Sequence, residues 1–259
     1  MLDTQYGRVI IPTRAHAILS DVLDAVVATA GLAIVRGPVG IGKTFALQRE
    51  IERLEAEGIV IVYITSAPEI EGSIGSFLRA VLAQFGIAGG SSSSARDALA
   101  DLLFSAHPFL PGGKRCILIV DEAQGLKSNI LETLRGLYDE GDAARMGNTY
   151  APAFGLVLVG NDTFLNKGGK MRKAEFRPLM SRVMIDMILA RPDASEFKAL
   201  ALGLLPDDEE AQIMLAKFGA EAGNLRAIDK VYRLAMAFTK DGSSLVSAVA
   251  RAIRASGGK

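Results

Sequence analysis

The sequence predicts an α/β fold in which a parallel sheet of about five strands is flanked by helices and followed by a small all-helical domain. Short apolar runs alternate with segments of helical periodicity as far as residue 191, and from Pro192 onward only helical periodicity continues. Strands that alternate with helices form parallel sheets, and a sheet covered on both faces has strands that are apolar throughout. We therefore expect an α/β domain at residues 1–191 and a helical domain at residues 192–259.

Each apolar run is expected to be one buried strand, and the periodic segments between the runs are expected to be helices. The predicted strands are residues 32–35, 58–64, 116–120, 154–160 and 183–189. The predicted helices are residues 12–30, 45–57, 74–85, 95–105 and 128–138 in the first domain and residues 193–204, 207–222, 224–240 and 244–255 in the second. The glycine and serine run at residues 89–94 has no side chains suited to a core and is expected to be a loop.

The charge balance excludes a protein that is drawn to nucleic acid or membranes by its overall field. The 259 residues contain 29 basic and 29 acidic side chains, so any DNA binding must come from local basic patches. No apolar stretch reaches the ~20 residues that span a bilayer, and the first residues lack the pattern of a signal peptide. A single cysteine, Cys116, rules out an internal disulfide. We expect a cytoplasmic protein with no membrane partner.

The most specific motif is Gly-Pro-Val-Gly-Ile-Gly-Lys-Thr at residues 37–44, which matches the phosphate-binding pattern G-x-x-x-x-G-K-[ST]. It follows a predicted strand and precedes a predicted helix, so its backbone N–H groups and the helix N-terminus can surround phosphate groups. Lys43 is expected to reach the β- and γ-phosphates of ATP, and Thr44 to hold Mg²⁺. The predicted nucleotide-binding residues are Gly37, Pro38, Val39, Gly40, Ile41, Gly42, Lys43, Thr44 and Phe45.

A second candidate site follows the apolar run at residues 116–120, where the sequence continues as Asp121-Glu122-Ala123-Gln124. A carboxylate at the tip of a strand beside the phosphate loop is suited to hold Mg²⁺, and the next residue can orient or deprotonate the attacking water. We assign Asp121 to the metal and Glu122 to the water. The alternative is a solvated acidic turn after a core strand.

Four further residues are candidates because of where they lie relative to the predicted elements. Asn161 follows the fourth strand and can share the attacking water with Glu122, or it closes the strand as an Asx turn. Arg182, or else Arg177, lies just before the fifth strand and can reach the γ-phosphate of a neighbouring subunit, or it forms a surface ion pair. Arg226 lies in the first turn of a second-domain helix, where it can contact the γ-phosphate or face solvent.

These elements, in this order, resemble an AAA+ ATPase with its helical lid, and the resemblance covers nearly the whole chain. The elements that carry it are residues 37–44, 117–122, 160–161, 181–182 and 223–226. Within that superfamily, the segment at residues 7–14, the Asp-Glu-Ala-Gln sequence and the compact size are similar to the Mu B and TnsC transposition ATPases. The resemblance implies a bacterial or phage-encoded ATPase that uses ATP and Mg²⁺ and is stimulated by DNA. It also implies self-assembly, commonly as a filament, on double-stranded DNA, with selection of target DNA and activation of a transposase.

The 36 residues before Gly37 leave no room for the N-terminal DNA-binding domain of Mu B, so DNA contacts are expected in the ATPase core. Such contacts neutralise phosphates and carry little base information. The candidates are the loop at residues 65–75 and the basic residues Lys127, Arg135, Arg145, Lys167, Lys170, Arg172 and Lys173. For the basic run at residues 167–173, the alternative is a solvated loop at a subunit interface.

Two other functions are compatible with the sequence. An AAA+ helicase loader or replication initiator shares the predicted fold and would prefer single strands and a helicase partner. A P-loop NTPase switch in secretion or signalling fits the zero net charge and would bind nucleotide without stimulation by DNA.

Overall fold

The computed structural model describes residues 13–105, 115–143, 153–164 and 176–257. Within these ranges, five strands form one parallel sheet with the order β2-β3-β4-β1-β5. The strands are β1 (Leu32–Arg36), β2 (Val60–Thr65), β3 (Cys116–Asp121), β4 (Gly155–Gly160) and β5 (Val183–Ile188). The predicted α/β fold with a parallel sheet is thereby confirmed.

The helices agree with the sequence prediction to within a few residues at most of their ends. They are α1 (Arg14–Thr29), α2 (Lys43–Ala56), α3 (Pro68–Glu71), α4 (Ile74–Ala83), α5 (Ser92–Ser105), α6 (Ser128–Ala143), α7 (Arg177–Met180), α8 (Ala194–Leu204), α9 (Glu209–Ala222), α10 (Leu225–Phe238) and α11 (Leu245–Ala255). The four-residue helices α3 and α7 have no counterpart in the prediction, because one turn is too short to show a periodic pattern. Among the described helices, none has both the length and the hydropathy that crossing a bilayer requires.

The glycine and serine run differs from its prediction as a loop, because its last residues begin α5. The N–H of Ser94 donates to Oγ of Ser91 at 3.3 Å, and the N–H of Ala95 donates to the carbonyl oxygen of Ser91 at 2.9 Å. A serine hydroxyl at this position satisfies a helix N–H group that has no partner within the helix. The loop prediction is therefore wrong for residues 92–94.

Burial differs sharply between the inner strands and the edge strand of the sheet. Every residue of β3 and β4 is buried, and burial raises the pKa of the Cys116 thiol in β3 to about 12. In β5 burial alternates, and Met184 and Ile188 are 59% and 67% exposed. The prediction of a fully buried fifth strand is therefore wrong, since β5 ends the sheet and presents one face to solvent in the described part of the chain.

A charged network joins α1 to α2 and fixes the helix that follows the phosphate-binding motif. Arg53 pairs with Asp24, Glu50 and Glu57 at 2.6–2.8 Å, and hydrogen bonding to Asp24 raises the pKa of Arg53. Glu50 is 5% exposed and also accepts a hydrogen bond from Oγ of Ser20 at 2.9 Å. Because an unpaired buried carboxylate is costly, these partners hold the two helices together.

The remaining helices form a second compact unit, which comprises residues 190–257 together with residues 13–18 and 38–46. Its core includes Phe197, Leu215, Ile228 and Val249, which are buried. Polar side chains cap the N-termini of α8 to α11; they are Asp193, Asp208, Asn224 and Ser244. The domain boundary predicted from the sequence lies after residue 191, which puts residues 38–46 in the first domain.

We predict that a methyl group at Gly155 destabilises the sheet. A Cβ atom there would lie 2.4 Å from Cγ1 of Val26 in α1. Gly155→Ala should therefore lower the free energy of unfolding by about 1–3 kcal/mol, as over-packing of a core does. At Gly136 in α6 an added Cβ meets nothing within 4 Å, so Gly136→Ala should raise stability by about 0.5–1 kcal/mol. Urea unfolding of both variants is the measurement, and equal effects would contradict this packing of α1 on β4.

Candidate functional site

The phosphate-binding motif forms a turn between β1 and α2. The N–H of Gly37 donates to the carbonyl oxygen of Gly160 at 3.3 Å, which ties the start of the turn to the end of β4. Gly40 and Gly42 have φ angles of +83° and +91°, which residues with a side chain rarely adopt. The glycines let the chain bend so that α2 begins at Lys43, with the positive end of the helix dipole at the turn.

Lys43 is held within this turn. Its side chain is almost fully buried, and its Nζ donates to the carbonyl oxygen of Pro38 at 2.8 Å. Ile41, two residues before Lys43, is also buried, whereas Val39 and Phe45 are exposed. An ammonium group and the backbone amides of one turn are the groups that bind phosphate oxygens in proteins.

The same turn contacts α10 within the helical unit. The N–H groups of Leu225 and Arg226 donate to the carbonyl oxygen of Gly40 at 2.9 and 3.3 Å. Asn224 caps the same helix, since its Oδ1 accepts from the N–H of Ala227 at 2.9 Å. The phosphate-binding turn therefore supplies a hydrogen-bond acceptor for N–H groups in the first turn of α10, which have no partner within the helix. Arg226 meets this turn through its backbone, and the residue is exposed.

The second group of predicted residues lies at the end of β3. Asp121 is fully buried; its Oδ1 accepts from the N–H of Glu122 at 2.8 Å, and its Oδ2 accepts from the hydroxyl of Tyr63 at 3.3 Å. The Tyr63 hydroxyl accepts in turn from Oγ1 of Thr65 at 3.0 Å. Burial raises the pKa of Tyr63, so the phenol keeps its proton as a donor to Asp121. Tyr63 is not among the site residues predicted from the sequence.

Glu122 has an unusual backbone conformation. Its φ angle is +55°, in the left-handed region that residues with a side chain disfavour. Two hydrogen bonds hold this conformation: the one from its N–H to Asp121, and one to its carbonyl oxygen from the N–H of Gly125 at 3.0 Å. Such angles cluster at functional sites, where the surrounding structure maintains them.

Gln124 connects the ends of β3 and β4, and it is not among the site residues predicted from the sequence. Its Nε2 donates to Oε2 of Glu122, and its Oε1 accepts from the backbone N–H of Asn161 at 3.0 Å. The Oδ1 of Asn161 accepts from the N–H and Oγ1 of Thr163 at 2.9 and 2.6 Å, which is the Asx turn given above as the alternative. A catalytic role for Asn161 stays a prediction. The only indication of the contact between Gln124 and Glu122 in the sequence is that the two residues lie two positions apart.

Arg177 and Arg182 differ in their surroundings. Arg182 forms two hydrogen bonds of 3.0 Å with the carboxylate of Asp139 in α6, and Asp139 also pairs with Arg135. Arg177 is exposed, and its side chain forms no ion pair with any other described residue. The assignment of either arginine to a neighbouring subunit's nucleotide stays a prediction.

The described residues include two of the basic DNA-contact candidates. The exposed Lys127 donates from Nζ to the carbonyl oxygen of Gly72 at 3.5 Å. Gly72 lies between α3 and α4, so the segment at residues 65–75 that was predicted as a loop is partly helical, and it carries two glutamates and no basic residue. Arg135 pairs with Glu132 and Asp139, so carboxylates already compensate its charge. The other candidates, Arg145, Lys167, Lys170, Arg172 and Lys173, lie outside the described residues.

The parallel sheet, with a phosphate-binding turn after β1 and an acidic pair after β3, is typical of P-loop ATPases. Residues 27–165, more than half of the chain, match the AAA domain family, and the chain belongs to this family. The predicted AAA+ class is therefore confirmed, with ATP and Mg²⁺ as its cofactors. No curated protein matches the chain.

Solved structures of low sequence identity share the fold. The ORC2 protein of Aeropyrum pernix, solved as ADPNP-ADP complexes, is 18% identical with a TM-score of 0.69, and the match covers 93% of this chain and 66% of that chain. The ORC1 protein of Aeropyrum pernix in complex with DNA is 17% identical with a TM-score of 0.66, covering 97% and 67%. The Thermotoga maritima RuvB Holliday junction branch migration motor is 18% identical with a TM-score of 0.56, covering 93% and 68%. This chain spans about two thirds of each of these proteins, and none of them is of the Mu B or TnsC type.

We predict that Gly40→Ala disturbs the contact between the phosphate-binding turn and α10. An added Cβ would lie 3.0 Å from Cβ of Asn224, and the left-handed backbone is itself unfavourable for alanine. The free energy of unfolding should fall by about 2–4 kcal/mol, and ATP should bind more weakly. Denaturant unfolding and ATP titration measure the two effects.

Gly58 is the matched control, because its φ angle is +84° and an added Cβ meets nothing within 4 Å. Gly58→Ala should cost about 1–2 kcal/mol and leave ATP affinity unchanged. If both variants lost equal stability and bound ATP normally, the contact with α10 would have no energetic role.

Proposed function

We propose that this chain hydrolyses ATP at the carboxyl edge of its sheet, and that it does so as an assembly on double-stranded DNA. One observation carries the ATPase part: β1 leads directly into the phosphate-binding turn, and β3 of the same parallel sheet ends at Asp121, which Glu122 follows. The carboxyl ends of parallel strands share one edge, which is where open α/β sheets bind their ligands.

In this proposal, the turn and Lys43 bind the triphosphate, and Thr44 and Asp121 hold Mg²⁺. Among the described residues, no group of three or more His, Cys, Asp or Glu side chains is placed to hold a metal ion. Mg²⁺ needs no such group, because it takes one or two carboxylates and completes its shell with phosphate oxygens and water, so this oxygen donor set fits it. When bound, Mg²⁺ neutralises charge on the β- and γ-phosphate oxygens.

Glu122 is the proposed general base. Its carboxylate takes a proton from water as the water oxygen bonds to the γ-phosphorus, and the bond from that phosphorus to the bridging oxygen breaks to leave ADP and phosphate. Asn161 shares the water and Arg226 contacts the γ-phosphate. Arg177 or Arg182 acts on the nucleotide of a neighbouring copy.

The DNA part of the proposal is supported by the resemblance to transposition ATPases and by the fold shared with ORC1, whose structure is a complex with DNA. In full, we propose that the protein assembles as a filament on duplex DNA, selects target DNA and activates a transposase. Replication initiation or helicase loading is the second candidate, because ORC proteins share this fold. Both candidates require a nucleotide-dependent interaction with DNA.

The site assignment predicts opposite effects for two substitutions. Lys43→Ala should weaken ATP binding at least ~10-fold, because a charged hydrogen bond contributes about 1.5–3 kcal/mol. Glu122→Gln should keep ATP affinity within about 2-fold and lower kcat by about 10²–10⁴-fold, as loss of a general base does. ATP titration and phosphate release are the measurements. The exposed Lys198→Ala and Glu55→Gln serve as matched controls, and a Glu122→Gln variant with wild-type turnover would refute the assignment.

Duplex binding should depend on nucleotide and on salt. With the Glu122→Gln variant, ATP should tighten binding to nonspecific duplex, and the logarithm of the binding constant should fall linearly with the logarithm of salt concentration. Titrations between about 50 and 200 mM salt, with and without ATP, measure both. A preference for single strands would favour the helicase loader. ATP hydrolysis with no effect of nucleotide on DNA binding at any salt would favour a switch that acts without DNA.

A further inference from the structure

Gln124 makes two hydrogen bonds that tie the Glu122 carboxylate to a fixed part of the sheet. Gln124 lies in the 3-10 turn Ala123–Gly125 directly after β3. Its Nε2 donates to Oε2 of Glu122, while its Oε1 accepts from the N–H of Asn161, the residue after β4. The side chain therefore links a carboxylate at the end of one strand to the backbone at the end of the next.

Both ends of the Gln124 amide are used, and few other side chains of this length could replace it. An amide offers an N–H donor and a carbonyl acceptor, whereas a carboxylate only accepts and an ammonium only donates. A Cβ at Gly160 would lie 2.8 Å from Cβ of Phe164 and 3.0 Å from Oε1 of Gln124, so the glycine leaves space for both side chains. The two hydrogen bonds of Gln124 thus specify an amide side chain at this position.

The backbone of Glu122 is already fixed by its hydrogen bonds to Asp121 and Gly125. Its side chain has three further rotatable bonds, and the hydrogen bond from Nε2 of Gln124 restrains its carboxylate. A general base must be held within about 0.5 Å of its productive position, and a displacement of about 1 Å can cost about 100-fold in rate. Restraint of this carboxylate is therefore a requirement of the chemistry.

We infer that Gln124 is a positioning residue for ATP hydrolysis, which holds the Glu122 carboxylate in place relative to the end of β4. This inference rests on the proposed function, in which Glu122 is the general base. Gln124 acts through Glu122, because its hydrogen bond is to the Glu122 carboxylate. Its loss should slow turnover and leave the affinity for ATP unchanged.

Two substitutions at Gln124 distinguish the contributions of its two hydrogen bonds. Gln124→Glu keeps the shape and the acceptor toward Asn161 but cannot donate to Glu122, and Gln124→Ala removes both bonds. Each should lower kcat at least ~10-fold and change the dissociation constant of ATP by less than about 2-fold. Gln84→Ala, at an exposed glutamine after α4, is the matched control and should behave as wild type. Thermal unfolding of every variant identifies loss of folding, and Gln124→Glu stays informative if Gln124→Ala unfolds.

The decisive measurement is a double-mutant comparison. In the Glu122→Gln background no base remains to be positioned, so adding Gln124→Ala should change the residual single-turnover rate by less than about 2-fold. A full additional loss in that background would overturn the inference, since Gln124 would then act by another route. The inference would also be overturned if both Gln124 variants had wild-type kcat and Glu122→Gln had lost turnover. The proposed function itself fails in a different way, through normal turnover in Glu122→Gln.

Discussion

Parallel pairing of β3 with β2 and β4 is the constraint on which the candidate site depends. In this register Thr65 pairs with Asp121, and Val120 pairs with Leu158, so the polar residues that follow or end these strands emerge at one edge. That edge brings the Tyr63 hydroxyl to Asp121. A slip of one residue would turn every side chain of β3 to the opposite face of the sheet. Such a slip would also move Asp121 away from its partner Thr65, so the register fixes the position of the acidic end.

The acidic end of β3 contains two unfavourable features, and both are compensated locally. A left-handed backbone at a residue such as Glu122 costs about 1–2 kcal/mol, and a buried carboxylate such as Asp121 is costly without partners. The hydrogen bonds from Tyr63, Glu122 and Gly125 contribute about 1 kcal/mol each. These hydrogen bonds therefore offset part of the two costs and hold the left-handed turn in place. It also directs the Glu122 side chain toward Gln124.

Features that depend on local sequence were predictable, and features that depend on the order of strands in the sheet were not. The strands and the helices of the second unit follow from apolar periodicity and from capping residues such as Asp193 and Asn224. The exposed face of β5 has only one local signal, Asp186, because Met184 and Ile188 on the same face are apolar. The phosphate-binding turn and the acidic pair were predictable as motifs. The bond from Gln124 to Asn161 joins residues 37 positions apart, and no periodicity reports such a contact.

The ion pair between Arg182 and Asp139 is compatible with a role for Arg182 at a neighbouring copy's nucleotide. The two side chains are 38% and 32% exposed, and exposed pairs contribute about 0.2–1 kcal/mol. A charged hydrogen bond to phosphate contributes about 1.5–3 kcal/mol, so the exchange of one partner for the other is favourable. Asp139 would keep Arg135 as its partner after Arg182 left. Arg177 has no such pair among the described residues, and hence nothing there orients its guanidinium. Arg182 is therefore the better candidate, because it is already oriented and its present contact is weak enough to exchange.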